Sequence, residues 1–164
     1  MESTARTPVR PIKPVAPYIG GKRNLSRRLV DLIEATPHST YSEAFVGMGG
    51  VFLRRTTRPR FEVINDWSAD VANLFRILRE HYPQFMEVLR FQITTRSEFE
   101  RLSRVEADTL TDLQRAARFL YLQRVAAAAR SAGGISAWTR AVPGSTCPPW
   151  SRCWRSCTNA CRGW

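Results

Sequence analysis

The chain has 164 residues, a length that suits one domain, and an apolar fraction of 43% that is ordinary for a globular protein. Its net charge of +11 is not ordinary and favours a polyanionic partner, although an arginine-rich coding bias would give the same excess. No run approaches the roughly 18 apolar residues of a membrane span, and residues 1–17 contain no apolar segment typical of a signal peptide. We therefore expect a cytoplasmic protein with reduced thiols.

In chain order, residues 1–16 are predicted to be a flexible arm, because prolines recur at positions 8, 11 and 14. A turn over residues 17–23 leads into a helix predicted over about residues 24–35. Its apolar stripe has helical spacing and consists of Leu25, Leu29, Leu32 and Ile33.

A strand, a glycine loop and a helix are predicted next. Residues 41–46 are mostly apolar or aromatic and contain no proline, Gly47, Gly49 and Gly50 are predicted to form a tight turn, and a helix is expected to start at about residue 50. This order can present free backbone N–H groups to a ligand at a helix N-terminus. A simple strand-to-helix turn without a ligand is the alternative interpretation.

A second strand, Phe61–Asp66, ends in a carboxylate 19 residues after Gly47. An acid about 20 residues beyond a glycine loop is where a nucleoside ribose has its hydroxyls bound. Phe52 stands where a dinucleotide-binding loop has its third glycine or alanine, which counts against a dehydrogenase-type site. A single nucleoside is the better hypothesis.

The remaining elements are helices. Ser68 is a candidate N-cap, Pro83 suits the first turn of the next helix, and Ser97–Glu100 and Thr111–Gln114 are capping-box patterns. The last helix is predicted to reach about Arg130.

Beyond it the composition changes. Asp112 is the last acidic residue, and residues 113–164 carry eight arginines, all four cysteines and four of the five tryptophans. Cysteines at positions 153, 157 and 161 do not have the C-x-x-C spacing of a zinc site, so no metal is expected. We predict that residues 131–164 are an atypical, unstructured tail.

Four motifs together resemble the Dam-type (D12 class) DNA adenine methyltransferases of bacteria and phages. The motifs are Pro17-Tyr-Ile-Gly-Gly-Lys22, Glu43-Ala-Phe-Val-Gly-Met-Gly-Gly-Val-Phe52, Ile64-Asn-Asp66 and Phe119-Leu-Tyr-Leu-Gln-Arg124, and their order and spacing match as well. Ala44, where the family usually has proline, and Met48, where it often has a third glycine, are departures.

The resemblance implies an α/β, doubly wound (Rossmann-like) methyltransferase fold, incomplete in this chain, with a helical insertion and a disordered tail. Residues 17–82 would be the half that binds S-adenosylmethionine, and residues 83–130 the helical start of the DNA-recognition region. The implied cofactor-binding residues are Tyr18, Lys22, Glu43, Phe45, Gly47, Gly49 and Asp66. Arg118 and Arg124 would contact duplex DNA, whose target adenine this family flips out of the helix.

The family's catalytic motif, Asp-Pro-Pro-Tyr, is missing. Cys147-Pro-Pro-Trp150 resembles it, but a thiol is a weak acceptor and cannot replace the carboxylate, and no apolar strand precedes it. We therefore expect a methyltransferase-derived chain that is inactive and of marginal stability. An out-of-frame or truncated C-terminal part after about residue 130 would explain the tail, and a genuine Cys/Trp-rich tail is the rival explanation. A non-catalytic cofactor- or nucleic-acid-binding fragment is the alternative function.

Overall fold

The computed structural model describes residues 6–131, with side chains as far as residue 128. The predictions for residues 1–5, for the tail beyond residue 131 and for Cys147-Pro-Pro-Trp150 lie outside this range. The described chain divides into two compact units, which we call the strand unit (residues 6–69) and the helical unit (residues 70–131). The division falls at residue 69 rather than at residue 82, where the sequence analysis placed it.

The strand unit contains the predicted pair of parallel strands. Strand β2 (Thr40–Glu43) pairs with strand β4 (Phe61–Ile64), in a register that places Thr40 opposite Phe61 and Glu43 opposite Ile64. Both strands end two or three residues earlier than predicted. The two chains still run together beyond them, because the Val46 N–H donates to the Asn65 carbonyl at 2.9 Å.

The prediction of a loose N-terminal arm is wrong for residues 6–16. Strand β1 (Thr7–Pro8) pairs in antiparallel fashion with strand β3 (Thr57–Arg58), and Ile12 donates its N–H to the Leu53 carbonyl at 2.7 Å. Ile12, Val15 and Ala16 are buried. Prolines alone do not make a segment loose when apolar residues between them pack and the remaining amides find partners.

The helix predicted from residue 50 is also not formed. The structure has a single 3-10 turn, Phe52–Arg54, and the chain is extended again at Arg55. Tertiary partners take the backbone groups that a helix would need, because the Leu53 carbonyl accepts from Ile12 and the Thr56 N–H donates to the Glu34 carboxylate at 2.5 Å. These contacts lead the chain into β3.

Helix α1 (Ser26–Ala35) confirms the predicted helix of residues 24–35. Its apolar stripe is only partly covered. Val30 is buried and Leu29 and Ile33 are half-buried, whereas Leu25 and Leu32 are 59% and 58% exposed.

Besides a 3-10 turn, Ala107–Thr109, the helical unit contains four α-helices, as the sequence indicated. They are α2 (Ala69–Glu80), α3 (Tyr82–Arg90), α4 (Arg96–Arg104) and α5 (Asp112–Ser131). Helices α3 and α4 both pack against α5. The largest fully buried side chains of the described chain all lie in this unit: Tyr121, Phe85, Leu74, Leu89, Leu120 and Val71. No helix in the described range is long and apolar enough to cross a membrane.

The helix caps confirm one predicted pattern and correct another. The Thr111 N–H donates to the Gln114 side chain at 3.1 Å, and the Gln114 N–H donates back to the Thr111 hydroxyl at 3.4 Å, which is a reciprocal capping box. Helix α4 is capped by Thr95, which accepts from the Glu98 N–H at 3.1 Å, and not by Ser97. The threonine two residues earlier has the extended backbone that a cap needs.

Candidate functional site

The candidate site lies where the parallel strands β2 and β4 end, at the glycine loop of residues 44–50. In open parallel sheets, ligands bind beyond the carboxyl ends of the strands. The sequence analysis placed Glu43, Gly47 and Asp66 in one site, and the structure brings all three to this end of the strand pair.

A hydrogen bond joins the two parts of the predicted site. The Gly47 N–H donates to the Asp66 Oδ2 at 2.7 Å, across 19 residues of sequence. The other carboxylate oxygen of Asp66, Oδ1, accepts from the Ser68 N–H at 2.9 Å. Asp66 is half-buried, and its two oxygens together offer about four acceptor positions. The two backbone donors therefore fix the carboxylate and leave it capacity for further donors.

The loop amides do not form the helix N-terminus that we predicted. The Gly47 N–H is bound to Asp66, and the Gly49 N–H donates to the Val46 carbonyl at 2.9 Å. The 3-10 turn that follows is also too short to act as a helix N-terminus. Both amides therefore stabilise the loop itself and are not presented to a ligand. The bond from Gly47 also fixes the position of the Asp66 carboxylate.

Glycine is required at the centre of the loop for two reasons. Gly47 and Gly49 have positive φ angles of 53° and 74°, a conformation that costs other residues about 1–2 kcal/mol. A Cβ atom on Gly47 would also lie 3.2 Å from Cδ1 of Tyr18. The ring of Tyr18 therefore packs directly on the loop, and the N-terminal motif and the glycine loop, predicted as separate parts of one site, are in contact.

Lys22 and Glu43 form the ionic part of the site. The Lys22 ammonium lies 3.2 Å from the Glu43 Oε1 and donates to the Phe45 carbonyl at 2.5 Å. Tyr41 donates its hydroxyl to the Glu43 Oε2 at 2.7 Å. A compact ammonium suits this position between a buried carboxylate and a carbonyl.

The hydroxyl of Tyr41 stays protonated at physiological pH. Burial, followed by the hydrogen bond to Glu43, raises the pKa of Tyr41 well above its usual range. The hydroxyl therefore remains able to donate to Glu43 at this pH. The sequence analysis missed this contact, although the two-residue period of a strand puts Tyr41 and Glu43 on the same face.

Arg55 is the second group that sequence reasoning missed. Its side chain is 4% exposed, it donates to the Glu62 carboxylate, and its guanidinium lies 3.9 Å from the centre of the Tyr41 ring. Phe52 is buried and stacks on Tyr41 with ring centres 6.3 Å apart. No sequence signal distinguished Arg55 from the neighbouring arginines, which are half-buried or exposed. This cluster supports the strand from which Glu43 projects.

Two aromatic side chains flank the loop in solvent. Phe45 is 66% exposed, and Trp67, which follows Asp66 directly, is 93% exposed. Phe45 was predicted as a site residue and Trp67 was not. Trp67 could not be identified from the sequence, because only the structure shows that its large indole is exposed next to a carboxylate that is fixed in place.

The two predicted DNA-binding arginines lie in the helical unit, on α5. Arg118 donates its Nε to the Leu102 carbonyl at 2.7 Å near the end of α4, so it holds these two helices together. Arg124 is half-buried. Their role toward DNA stays a prediction. Between residues 6 and 131, no group of three or more His, Cys, Asp or Glu side chains could hold a metal ion.

Comparison with known proteins identifies a family and a curated relative. The family model of the D12 class N6 adenine-specific DNA methyltransferases matches residues 18–131. The chain is also 28% identical, over 123 residues, to the type II methyltransferase M1.LlaDCHI of Lactococcus lactis subsp. cremoris. That alignment covers 70% of this chain and 41% of the Lactococcus protein, so the chain spans less than half of that relative.

Proposed function

This chain belongs to the D12 class of N6 adenine-specific DNA methyltransferases, and from that premise we propose that residues 17–69 bind S-adenosylmethionine. The whole enzyme would transfer the cofactor's methyl group to the exocyclic amino group of adenine in duplex DNA. In this proposal the strand unit supplies the cofactor site, and the helical unit begins the part that contacts DNA.

The observation that carries the proposal is the hydrogen bond between Gly47 and Asp66. It places a half-buried carboxylate at the carboxyl ends of two parallel strands, where a nucleoside ribose is bound in doubly wound folds. Because two backbone N–H groups already fix Asp66, its remaining acceptor positions are directed before the cofactor arrives. We propose that they accept the two ribose hydroxyls.

The other predicted residues would act around this carboxylate. Tyr18 and the glycine loop form a surface with no projecting side chain at Gly47, against which the methionine part of the cofactor can lie. Lys22 uses two of its three donors within the protein, on Glu43 and on the Phe45 carbonyl, and keeps one for the cofactor's carboxylate.

We add Trp67 to this set. It follows Asp66 directly and its indole is almost fully exposed, so it can stack on the adenine ring of a nucleoside whose ribose is held by that carboxylate. Stacking of a base on an aromatic side chain contributes about 1–3 kcal/mol. Phe45 is the second exposed aromatic residue at the loop and can cover the opposite side of the cofactor.

We propose that the chain does not transfer the methyl group by itself. Its sequence contains no Asp-Pro-Pro-Tyr motif, whose acidic side chain would accept a hydrogen bond from the adenine amino group. The bound cofactor would supply an electrophilic methyl on sulfonium, and the described residues only bind and orient it. A transfer assay on adenine-containing duplex DNA should therefore show no product, and methylated adenine would contradict this part of the proposal.

Calorimetric titration with S-adenosylmethionine tests the cofactor site. We expect binding by the wild-type chain and a loss of affinity of at least about tenfold in Asp66→Ala, since hydrogen bonds to a charged group contribute about 1.5–3 kcal/mol. Asp31→Ala is the matched control, because Asp31 is an exposed aspartate of the same unit, on α1, away from the loop.

Asp66→Ala also removes the acceptor of Gly47, so a second variant is needed to separate binding from loop structure. Trp67→Ala alters a side chain that is 93% exposed and should leave the loop unchanged. We expect it to weaken binding about fivefold or more. Equal affinity in the wild type, Asp66→Ala and Asp31→Ala would reject the site.

A further inference from the structure

Three side chains of the strand unit form a continuous polar row that leads from its interior to its surface. The Tyr41 hydroxyl donates to the Glu43 Oε2 at 2.7 Å, and the Lys22 ammonium lies 3.2 Å from the Glu43 Oε1. Tyr41 is 8% exposed and Glu43 is 9% exposed, whereas the Lys22 side chain is 37% exposed. The buried carboxylate therefore has a buried phenol at one oxygen and a partly exposed ammonium at the other.

The neighbours of Tyr41 set the position of its ring. Phe52 stacks on it with ring centres 6.3 Å apart, and the Arg55 guanidinium lies 3.9 Å from the ring centre. A phenylalanine would make both contacts, so the packing does not require the hydroxyl. The hydroxyl keeps its proton at physiological pH, because burial and then the hydrogen bond to Glu43 raise the pKa of Tyr41. Tyr41 is thus a fixed donor to Glu43.

Stability alone does not account for this polar row. A charge pair in a protein interior contributes little net stability, because the desolvation of both charges offsets their attraction. The row does fix geometry, since a carboxylate with a donor at each oxygen cannot turn without breaking one of the two contacts. The direction of the Glu43 carboxylate in turn determines where the Lys22 ammonium lies.

Lys22 is the member of the row that a ligand can reach. It uses two of its three donors on Glu43 and on the Phe45 carbonyl, which leaves one donor for a ligand. Because both acceptors are fixed, the remaining donor is oriented before a ligand arrives, and such preorganisation lowers the cost of binding. A carboxylate is the ligand group that an oriented ammonium favours.

We propose that Tyr41 is a positioning residue that makes the site select nucleosides with an amino-acid end. Its hydroxyl orients Glu43, Glu43 orients Lys22, and the Lys22 ammonium binds the α-carboxylate of the ligand. The inference rests on the proposed function. It adds a residue that touches no ligand and still determines which nucleoside derivatives bind tightly.

Two nucleosides that differ at the amino-acid end test the proposal. S-adenosylhomocysteine and 5′-methylthioadenosine are both uncharged at sulfur, and only the first carries an α-amino acid. Calorimetric titration of the full chain measures both affinities in the wild type and in Tyr41→Phe, which keeps the ring and removes the hydroxyl. We expect Tyr41→Phe to weaken binding of S-adenosylhomocysteine at least about fivefold. Binding of 5′-methylthioadenosine should stay within about twofold of the wild type.

A buried tyrosine of the helical unit provides the matched control. Tyr121 donates its hydroxyl to the Thr95 carbonyl at 3.3 Å, so Tyr121→Phe also removes one buried hydroxyl and its hydrogen bond. We expect Tyr121→Phe to change neither affinity by more than about twofold.

A double-mutant cycle with S-adenosylhomocysteine tests whether Tyr41 acts through Lys22. Lys22→Ala alone should weaken binding at least about tenfold, because it removes a hydrogen bond to a charged group. Adding Tyr41→Phe to Lys22→Ala should then cause less than about twofold further loss, since the group that Tyr41 positions is already absent.

Three results would overturn the proposal. They are equal losses for the two nucleosides in Tyr41→Phe, equal effects of Tyr41→Phe and Tyr121→Phe, and full additivity of Tyr41→Phe with Lys22→Ala. If the wild type and Tyr41→Phe bind both nucleosides equally well, the positioning role is rejected and the cofactor site is retained. If the wild type binds neither nucleoside, the proposed cofactor site is rejected together with the positioning role.

Discussion

The two units of the described chain have interiors of different chemistry. The helical unit buries apolar and aromatic side chains such as Phe85, Leu120 and Tyr121, and its ion pairs, for example Arg101 with Glu98, lie near the surface. The strand unit buries a carboxylate, Glu43, and a guanidinium, Arg55, among its apolar groups.

This difference indicates how each unit is stabilised. Burial of apolar surface contributes about 25 cal/mol per Å² and needs no matched partner. A buried charge contributes little beyond its desolvation cost and becomes expensive as soon as its partner is removed. We infer that the helical unit tolerates change at its polar positions, whereas the strand unit depends on a few specific contacts, which also position the candidate site.

Among the substitutions that test this difference between the units, removal of the Arg55 side chain should change stability the most. Arg55→Ala leaves Glu62, whose side chain is 5% exposed, without its cation, and we expect a destabilisation of about 3–5 kcal/mol. Native-state hydrogen exchange measures it at the Asn65 amide, which bonds across the strand pair, and at the Phe85 amide in the helical unit. We expect the protection against exchange to fall at the Asn65 amide and to stay unchanged at the Phe85 amide.

Arg60→Ala is the control, because Arg60 is an exposed arginine of the same unit, five residues after Arg55 in the sequence. We expect it to change the exchange of Asn65 by less than about 0.5 kcal/mol. A double variant, Arg55→Met with Glu62→Gln, should recover part of the loss since it removes both charges together. If Arg55→Ala and Arg60→Ala were equivalent, the strand unit would not depend on its buried ion pair.

A smaller effect is expected at the glycine loop. Gly47→Ala places a methyl group at a positive φ angle and within 3.2 Å of the Tyr18 ring, and Gly20→Ala has a similar φ angle but no neighbouring atom within 4 Å. The backbone term of about 1–2 kcal/mol is common to both. The contact with Tyr18 should add about 1 kcal/mol or more to Gly47→Ala only.

Hydrogen exchange of the Val46 amide, which lies in the loop and donates to the Asn65 carbonyl, measures this difference. In the double variant with Tyr18→Ala and Gly47→Ala, the loss of stability should be no larger than in Gly20→Ala. A double variant as destabilised as Gly47→Ala alone would show that the ring of Tyr18 does not rest on the loop.

How far the sequence predicted the structure also differs between the units. All four helices of the helical unit were predicted, because the period of their apolar residues and their capping patterns are local signals. In the strand unit, the order of strand, glycine loop and second strand with an acid 19 residues later predicted the parallel pair and one site shared by Gly47 and Asp66. The 3-10 turn at Phe52–Arg54 was predicted as a helix, since its competing partners are distant in sequence.

The polar contacts of the site were the least predictable part. Tyr41 was predicted only as part of a strand, and the sequence analysis drew no inference about Arg55. Burial of a charged side chain depends on which distant groups surround it, and composition does not contain that information. The same reason explains why the hydrogen bond from Arg118 to the Leu102 carbonyl was not predicted, while its role toward DNA stays a prediction.

The smallest expected effect concerns pH in the helical unit. Arg101 donates two hydrogen bonds to Glu98, at 2.8 and 2.7 Å, and this contact lowers the pKa of the Glu98 carboxyl. Because the pKa of Glu98 is lower in the folded than in the unfolded protein, the ionised carboxylate stabilises the fold at pH values above the unfolded-state pKa of about 4.3. That stabilisation is lost as the pH falls through the folded-state pKa. Urea unfolding of wild type and Glu98→Gln should therefore differ at pH 7 and converge in acid.

The size of this difference bears on the comparison between the units. The pair lies near the surface, so solvent screening limits its contribution to about 0.2–1 kcal/mol at pH 7. Glu100→Gln is the control, because Glu100 is exposed and lies 3.8 Å from Arg96. A loss of several kcal/mol in Glu98→Gln would mean that the helical unit also depends on an ion pair, and the contrast between its apolar interior and the charged interior of the strand unit would no longer hold.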